Sequence, residues 1–324
     1  MRKQFTISYE EIISVENLLA AWQEFSVGKK SNPNVQIFQA RLMDHIIALH
    51  HELKNFSYIH TGYKLRKIYE PKERDIHIAS VRERLLCHAI HRKLYPFFDT
   101  TFISHSYSCR LDKGTHRACT CFAKFGNLVS KNNTRTCWVL KCDIRKFFAN
   151  IDHQILFGIL GQYIQDENVQ WLLEKIISSF ETRLDVGLPL GNLTSQLFVN
   201  IYMNEFDQFM KHKIKAKQYI RYADDFVILS HDKVWLGELI PQISDFLNTK
   251  LKLSLHPNKV SIATLASGVD FLGWVHFSDH RVLRTVTKKR MFRNVTSKPD
   301  SEVIRQSYLG LLTHGNGYKL AQML

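Results

Sequence analysis

The sequence predicts an α+β fold on a split βαβ plan, and three stretches carry that prediction. Thr136-Cys-Trp-Val-Leu-Lys-Cys-Asp143 reads as a buried strand ending on a carboxylate, because it is a short, mostly apolar run too brief for a helix. Gln218-Tyr-Ile-Arg-Tyr-Ala and Phe226-Val-Ile-Leu read as two strands joined through Asp224-Asp225. Helical periodicity lies between and after these strands, and Val269–Phe277 reads as a further strand pair. The order strand, helix, hairpin, helix, strand is that of a split βαβ sheet.

In chain order, Tyr9 to about Lys54 is helical, carried by Ile12, Leu18, Leu19 and Trp22, then by Ile46, Ile47 and Leu53, with a polar Gly28–Asn34 loop between. Tyr58–His77 is short, basic and β-prone, with Tyr63, Ile68 and Tyr69 among Lys64, Arg66, Lys67, Lys72 and Arg74, which predicts a hairpin. Val81–Phe98 is helical again, and Asp152–Phe180 is helical up to a loop marked by Gly187, Pro189 and Gly191. From Ser195 to about Lys213, Phe198, Tyr202, Phe206 and Phe209 recur at near-helical spacing, and Thr194 or Ser195 is expected to cap this helix. Leu236–Leu251 is an amphipathic helix. The chain shows no internal repeat and no low-complexity linker, so its subdomains are expected to pack together rather than hang on tethers.

A chain of 324 residues with 45% hydrophobic and 12% aromatic content can bury one large core or two modest ones, which excludes disorder as the default class. Lys and Arg exceed Asp and Glu by 44 − 30 = 14, which calls for a polyanionic partner. Charge alone does not choose between nucleic acid and an acidic membrane surface. No apolar run approaches the roughly 18 residues of a membrane span. Met1–Ile7 has two basic residues with no apolar segment behind them, so the chain reads as cytoplasmic with no membrane partner. The six cysteines include no Cys-x-x-Cys pair, which favours reduced structural thiols over a cysteine zinc site or disulfides. His51-Glu52 has Asn55 where a zinc-protease helix needs its second histidine, and that reading drops out.

The chemistry gathers on carboxylates. Template-directed phosphoryl transfer uses two Mg²⁺ ions about 3.5–4 Å apart, one activating a 3′ hydroxyl and one holding the triphosphate. A strand ending at Asp143 beside a hairpin turn holding Asp224 and Asp225 suits such hard cations, and the carbonyl of Ile144 can add a ligand. Asp-Asp in a hairpin turn is also common turn chemistry and alone proves nothing.

The flanking residues decide between these readings. Tyr222-Ala-Asp-Asp225 resembles the fifth core motif of reverse transcriptases, and Asp143-Ile-Arg-Lys-Phe-Phe148 resembles the third. Leu188-Pro-Leu-Gly-Asn-Leu-Thr-Ser-Gln196 matches the fourth, Lys259 falls at the lysine of the next, and Phe271-Leu-Gly-Trp274 resembles the primer-grip hairpin. Order and spacing agree over about residues 58 to 277. The resemblance implies a right-hand polymerase fold of fingers, ferredoxin-like palm and short helical thumb. We expect N-terminal helices and fingers over 1–135, palm with the primer-grip hairpin over 136–280, and thumb over 281–324, with fingers and palm interleaving near 150–190.

It also implies roles. Asp143, Asp224 and Asp225, with the Ile144 carbonyl, hold two Mg²⁺ ions, for which Mn²⁺ can substitute. Phe148 is the steric gate against a sugar 2′ hydroxyl, while Phe147 is the core aromatic. Lys72 and Arg74 grip the triphosphate, Arg bidentately. Leu190, Gln196 and Lys259 complete the dNTP site, and Gly191 lets the backbone approach the primer or template closely. Arg110, Lys113 and His116 resemble a template-holding stretch, for which a solvated loop is the alternative. Tyr222, Leu272, Gly273 and Trp274 lie at the primer. Between Arg281 and Lys298 stand seven basic residues and no acidic one, Lys288, Lys289, Arg290 and Arg293 among them. They form a track for the template–primer duplex, or otherwise a basic exposed helix.

Within the family, Ser195-Gln196 stands where group II intron enzymes typically have Ser-Pro. With Tyr69-Glu-Pro-Lys and Arg110-x-Asp-Lys-Gly-Thr-His116, it resembles the enzymes of diversity-generating retroelements. About 47 residues follow the primer grip, which suits a small thumb and is too few for RNase H, endonuclease or full maturase domains. The resemblance implies an RNA-directed DNA polymerase copying a structured template RNA with errors opposite adenine, beside a small basic accessory protein. Its rivals are an antiphage-defence reverse transcriptase that makes DNA from a noncoding RNA, working with a companion enzyme, and a non-catalytic RNA-binding scaffold. The intact aspartates argue against the scaffold.

Overall fold

The computed structural model describes residues 3–69 and 73–324. Lys72, expected at the triphosphate, lies outside the described residues. The elements are α1 (Tyr9–Ile13), α2 (Val15–Ser26), α3 (Pro33–Ala40), α4 (Leu42–Lys54), β1 (Tyr63–Ile68), β2 (Arg74–Ala79), α5 (Val81–Asp99), α6 (Thr115–Ser130), β3 (Trp138–Asp143), α7 (His153–Gly161), α8 (Glu167–Ile177), α9 (Leu193–Gln208), β4 (Tyr219–Tyr222), β5 (Asp225–Ser230), α10 (Lys233–Leu251), β6 (Ser261–Thr264), β7 (Val269–Phe271), β8 (Trp274–His276), β9 (Arg281–Leu283), α11 (Thr285–Ser297), α12 (Glu302–Leu312) and α13 (Tyr318–Ala321). No helix among the described residues is long and apolar enough to cross a membrane. The chain forms two compact units, each discontinuous in sequence. One comprises Met1–Ile103, Arg145–Phe209 and Phe246–Ser254; the other comprises Ser104–Ile144, Met210–Asp245 and Leu255–Leu324.

In the first unit most of the helices start on polar side-chain caps. Ser8 and Glu11 form a reciprocal capping box at α1, and Ser14 caps α2. Leu18, Ala21, Trp22 and Phe25 make one apolar face of α2, which packs on α5, itself buried through Leu85, Leu86, Ala89 and Ile90. The β1–β2 hairpin pairs Tyr63 with Ala79 through to Ile68 with Arg74. Its entry is tied to α5 by Glu83, which is fully buried. That carboxylate accepts the Tyr58 hydroxyl, the Thr61 hydroxyl at 3.2 Å and Arg82 Nη1 at 2.6 Å.

Helix α9 is buried on nearly every side and packs on both α5 and α7. Its N-cap is Asn192; the expected caps Thr194 and Ser195 lie buried inside the first turn. The entry is set by Gly191, whose φ of +110° suits glycine and whose added Cβ would lie 3.1 Å from Ile76 Cγ2. The helical pattern expected to reach Lys213 continues past α9 as a wider π turn over Phe209–Lys213.

In the second unit a four-stranded sheet has the order β4-β5-β3-β6, with every neighbouring pair antiparallel. Helix α6 covers it, laying Ala118, Phe122, Phe125 and Val129 against Val139, Ile220, Val227 and Leu229. The sequence reading left α6 and the short strand β6 unassigned. The expected strand pair over Val269–Phe277 gains a third strand, β9. Beneath it Trp274, Leu283, Met291 and Leu312 share a core with α11 and α12. Gly315 is required there, since a Cβ would come within 2.2 Å of the Trp274 ring.

Glu83→Ala is expected to cost about 3 kcal/mol, because it removes the buried acceptor shared by the Tyr58 and Thr61 hydroxyls and leaves Arg82 to Glu52 alone among carboxylates, and Tyr58→Phe about 1 kcal/mol. Urea midpoints measure both; shifts near zero for Glu83→Ala contradict an anchoring role for the carboxylate.

Candidate active site

The geometry of the acidic residues follows from strand register in the second unit. β3 and β5 pair so that Asp143 stands directly opposite Asp225. Lys141, two residues before Asp143, shares its face of the sheet. Tyr222 pairs with Asp225, which leaves Ala223 and Asp224 as a two-residue turn. Ala223 sits at φ +54°, a left-handed backbone that costs a non-glycine residue roughly 1 kcal/mol or more. Arg221 holds that turn. It is fully buried, donates 3.1 Å hydrogen bonds to the Ala223 carbonyl and to Ser106 Oγ, and its backbone bonds His105 and Tyr107. The sequence reading did not single it out, although a charged residue inside the apolar run Tyr-Ile-Arg-Tyr222 was the available signal.

Two more backbone bonds close the site: the Ile144 N–H donates to the Asp224 carbonyl at 3.2 Å, and the His256 N–H to the Asp143 carbonyl at 2.7 Å. Asp143 is only 8% exposed, and Lys259 Nζ lies 2.9 Å from both of its carboxylate oxygens. Burial, the Asp225 charge and, more weakly, the Asp143 charge push the Asp224 carboxyl up to about 6. Burial also raises Asp225, opposed by Lys141 and reinforced by Asp143. Lys141 in turn donates to the Asp270 carbonyl at 2.6 Å, and Arg284 pairs with the Asp270 side chain. Among the described residues the three aspartates do not each bring an oxygen within 4.8 Å of the others, as expected of like charges with Lys259 seated on one of them. An all-carboxylate, partly buried donor set whose mutual repulsion the lysines offset only in part fits hard divalent cations.

Other expected residues of this unit fall as follows. Arg110 Nη1 bonds the Ser106 carbonyl, and Lys113 Nζ bonds the Ser104 carbonyl and lies over the Tyr107 ring. Thr115 at the start of α6 donates to the Tyr222 hydroxyl at 3.4 Å, which brings this stretch beside the Tyr222 end of the β4–β5 turn. His116 stacks on His314 at 3.5 Å. Leu272 and Gly273 form the two-residue turn between β7 and β8, both with positive φ, so a leucine is held where hairpins usually use Asn or Gly. Trp274 is 2% exposed and faces the core of α11 and α12. Lys288, Lys289 and Arg293 are exposed on α11, and Arg290 is half-buried.

Of the described residues expected at the nucleotide, all but Lys259 lie in the first unit. The Leu190 carbonyl accepts from the His77 N–H of β2 at 3.2 Å, and Gly191 approaches Ile76, so the loop before α9 rests on strand β2, which begins with exposed Arg74. The Leu188 N–H donates to the Phe148 carbonyl at 2.8 Å. Phe148 is half-buried, Phe147 is 3% exposed in the core, and Gln196 is half-buried in the first turn of α9.

A carboxyl whose folded-state pKa is raised favours the fold while protonated and weakens it as pH climbs through that pKa. For Asp224 the penalty is absent below about pH 4 and complete above about pH 6. Asp224→Asn is therefore expected to stabilise the metal-free protein at pH 7.5 by on the order of 1–3 kcal/mol, with no gain at pH 4. Denaturation in EDTA at the two pH values checks this, and equal effects at both contradict it.

A family model described as reverse transcriptase (RNA-dependent DNA polymerase) matches residues 66–276. Protein YkfC of Escherichia coli K12 is 27% identical over 313 residues, covering 83% of this chain and 79% of that protein. The group II intron-encoded protein LtrA of Lactococcus lactis is 24% identical, covering 68% of this chain and 46% of LtrA, so the chain spans about half of that relative. Among solved structures, apo telomerase from Candida tropicalis, truncated from its C-terminal domain, superposes with a TM-score of 0.52 at 13% identity, covering 72% of this chain and 59% of the other. Telomerase from Candida albicans with a fragment of telomeric RNA gives 0.52 at 11% identity, covering 71% and 48%. At such identities the likeness shows the fold alone, the right-hand polymerase fold. The chain belongs to the reverse transcriptase family, and residues 66–276 are its RNA-dependent DNA polymerase domain.

Proposed function

We propose that the protein copies a dedicated, structured template RNA into cDNA by two-metal phosphoryl transfer, and that it does so with frequent errors at adenine as part of a diversity-generating retroelement. The observation that carries the catalytic part is the register that sets Asp143 opposite Asp225 with Asp224 in the adjoining turn, inside the matched family span. Asp143, Asp224, Asp225 and the Ile144 carbonyl hold two Mg²⁺ ions. When bound, the pair activates the primer 3′ hydroxyl and neutralises the triphosphate and leaving group. Mn²⁺ is the expected substitute.

The chain's own residues supply the rest. Lys259 keeps Asp143 charge-balanced and lies near enough to serve the nucleotide phosphates. Arg74 and Lys72 grip the triphosphate, and Phe148 closes on the sugar 2′ position. Leu190 and Gln196 face the nascent pair. Arg110, Lys113, His116, Gly191, Tyr222, Leu272, Gly273 and the basic residues Lys288, Lys289, Arg290 and Arg293 hold the RNA–DNA template–primer duplex, and Trp274 anchors the Leu272-Gly273 turn from the core side. Fingers over 1–135, palm over 136–280 and thumb over 281–324 are the proposed division of labour, in the cytoplasm of a bacterial or phage-infected cell. A small basic accessory protein is the proposed partner. The retroelement assignment is supported by Ser195-Gln196, Tyr69-Glu-Pro-Lys and the Arg110–His116 stretch.

The test is to extend a DNA primer on an RNA template with Mg²⁺ and four dNTPs and to sequence the products. Errors concentrated opposite template adenine are expected, with Leu190→Gln and Arg74→Ala lowering them. An unbiased error spectrum contradicts the diversification role and favours defence, in which a companion reverse transcriptase is the partner. Phe148→Ala is expected to raise ribonucleotide use relative to deoxyribonucleotide use about tenfold or more, and an unchanged ratio removes Phe148 as the gate.

A further inference from the structure

We propose that His153, Glu181 and Asp185 form a second divalent-metal site, of the zinc class, that clamps the loop between α8 and α9 onto the segment following β3. Each of the three offers one donor atom within 4.8 Å of the other two. His153 opens α7 and is fully buried, with Nε2 2.7 Å from the Gly187 carbonyl oxygen. A carbonyl only accepts, so Nε2 carries the proton and Nδ1 keeps a bare lone pair. That Nδ1 is buried and has no hydrogen-bond partner. An imidazole that donates from one nitrogen to a backbone carbonyl and holds an unshared lone pair on the other is arranged as metal-ligating histidines are.

The two carboxylates are exposed and reachable by an ion from solvent. Among the described residues neither has an ion-pair partner. They are already tied to the histidine through the backbone: the His153 N–H donates to the Asp185 carbonyl at 2.9 Å, and the Asp185 N–H to Glu181 Oε1 at 3.4 Å. One imidazole nitrogen with two carboxylate oxygens suits Zn²⁺ and its borderline neighbours, whereas Mg²⁺ and Ca²⁺ prefer oxygen alone.

On the function proposed above, the clamp acts on two stretches that carry nucleotide selection. Loop and segment are stitched by Gly187 N–H to the Ile151 carbonyl at 2.8 Å, Leu188 N–H to the Phe148 carbonyl at 2.8 Å, and Thr182 Oγ1 to the Ala149 carbonyl at 2.7 Å. The segment begins at Phe148 and the loop leads into Leu190 and Gly191. An ion on His153, Glu181 and Asp185 fixes the spacing of Phe148 from Leu190 and Gly191 without contacting any of those three residues.

Co²⁺ is the probe, titrated into the full chain in excess Mg²⁺ and followed by its visible absorption, then displaced with Zn²⁺. One equivalent is expected to bind to the wild type and to Asp224→Asn/Asp225→Asn alike. The surface variants Glu181→Gln and Asp185→Asn, which leave the fold intact, and separately His153→Gln, are expected to weaken binding more than tenfold, since even outer-shell losses cost about 10–100-fold. Absorption that survives Glu181→Gln and Asp185→Asn, absorption lost in Asp224→Asn/Asp225→Asn, or no binding by the wild type up to millimolar Co²⁺ overturns the proposal.

Discussion

The register of β3 against β5 is the constraint on which the rest of the site depends. Side chains on a strand alternate, so a slip of one residue would turn Asp143 away from Asp225 and bury the wrong face of the sheet. Several features fix it. β3 is held on both sides, by β5 and by β6, and its inner face is locked under α6 through Val139. The arrangement is costly, because two carboxylates directly opposite one another repel and burial removes the water that would screen them. Lys259 on Asp143 and Lys141 on the same face offset that repulsion in the absence of bound cations.

Two turns of the same unit carry backbone strain at non-glycine residues. Ala223 beside Asp224 and Leu272 at the β7–β8 turn both adopt left-handed conformations that a glycine would adopt more readily. Such strain persists only where the surroundings over-determine it. At Ala223 the over-determination is visible: buried Arg221 grips the turn carbonyl and pairs its backbone with the 105–107 stretch. A structural arginine two residues from the acidic turn thus sets where Asp224 points, at the expense of a fully buried guanidinium that must be bonded on every side it can be.

Much of this was legible in the sequence. The strands around Asp143, Asp224 and Asp225 and the long helices of the first unit carry clear periodicity, and the motifs announced the family. What was not legible has physical causes. β6 and β9 are four- and three-residue strands whose residues, Ser-Ile-Ala-Thr and Arg-Val-Leu, have no pattern apart from their partners. Helix α6 does carry a signal, Ala118, Phe122, Phe125 and Val129 on one face, which the neighbouring basic loop obscured. Thr194 and Ser195 have capping side chains, yet the helix start is dictated by the turn at Gly191, one step earlier. Trp274 sits in a motif associated with the primer, but its indole is buried under the C-terminal helices. The unshared lone pair of His153 exists only once Gly187 has taken the other nitrogen.

The central claim, that carboxylates fixed by strand register carry out polymerisation, is tested most directly by comparing extension of a DNA primer on an annealed RNA template by the wild type and by Asp224→Asn/Asp225→Asn, with Mg²⁺ and four dNTPs. Extension by the wild type and none by the folded variant is the predicted result. Extension by the variant at the wild-type rate would contradict the assignment of these aspartates as the catalytic centre.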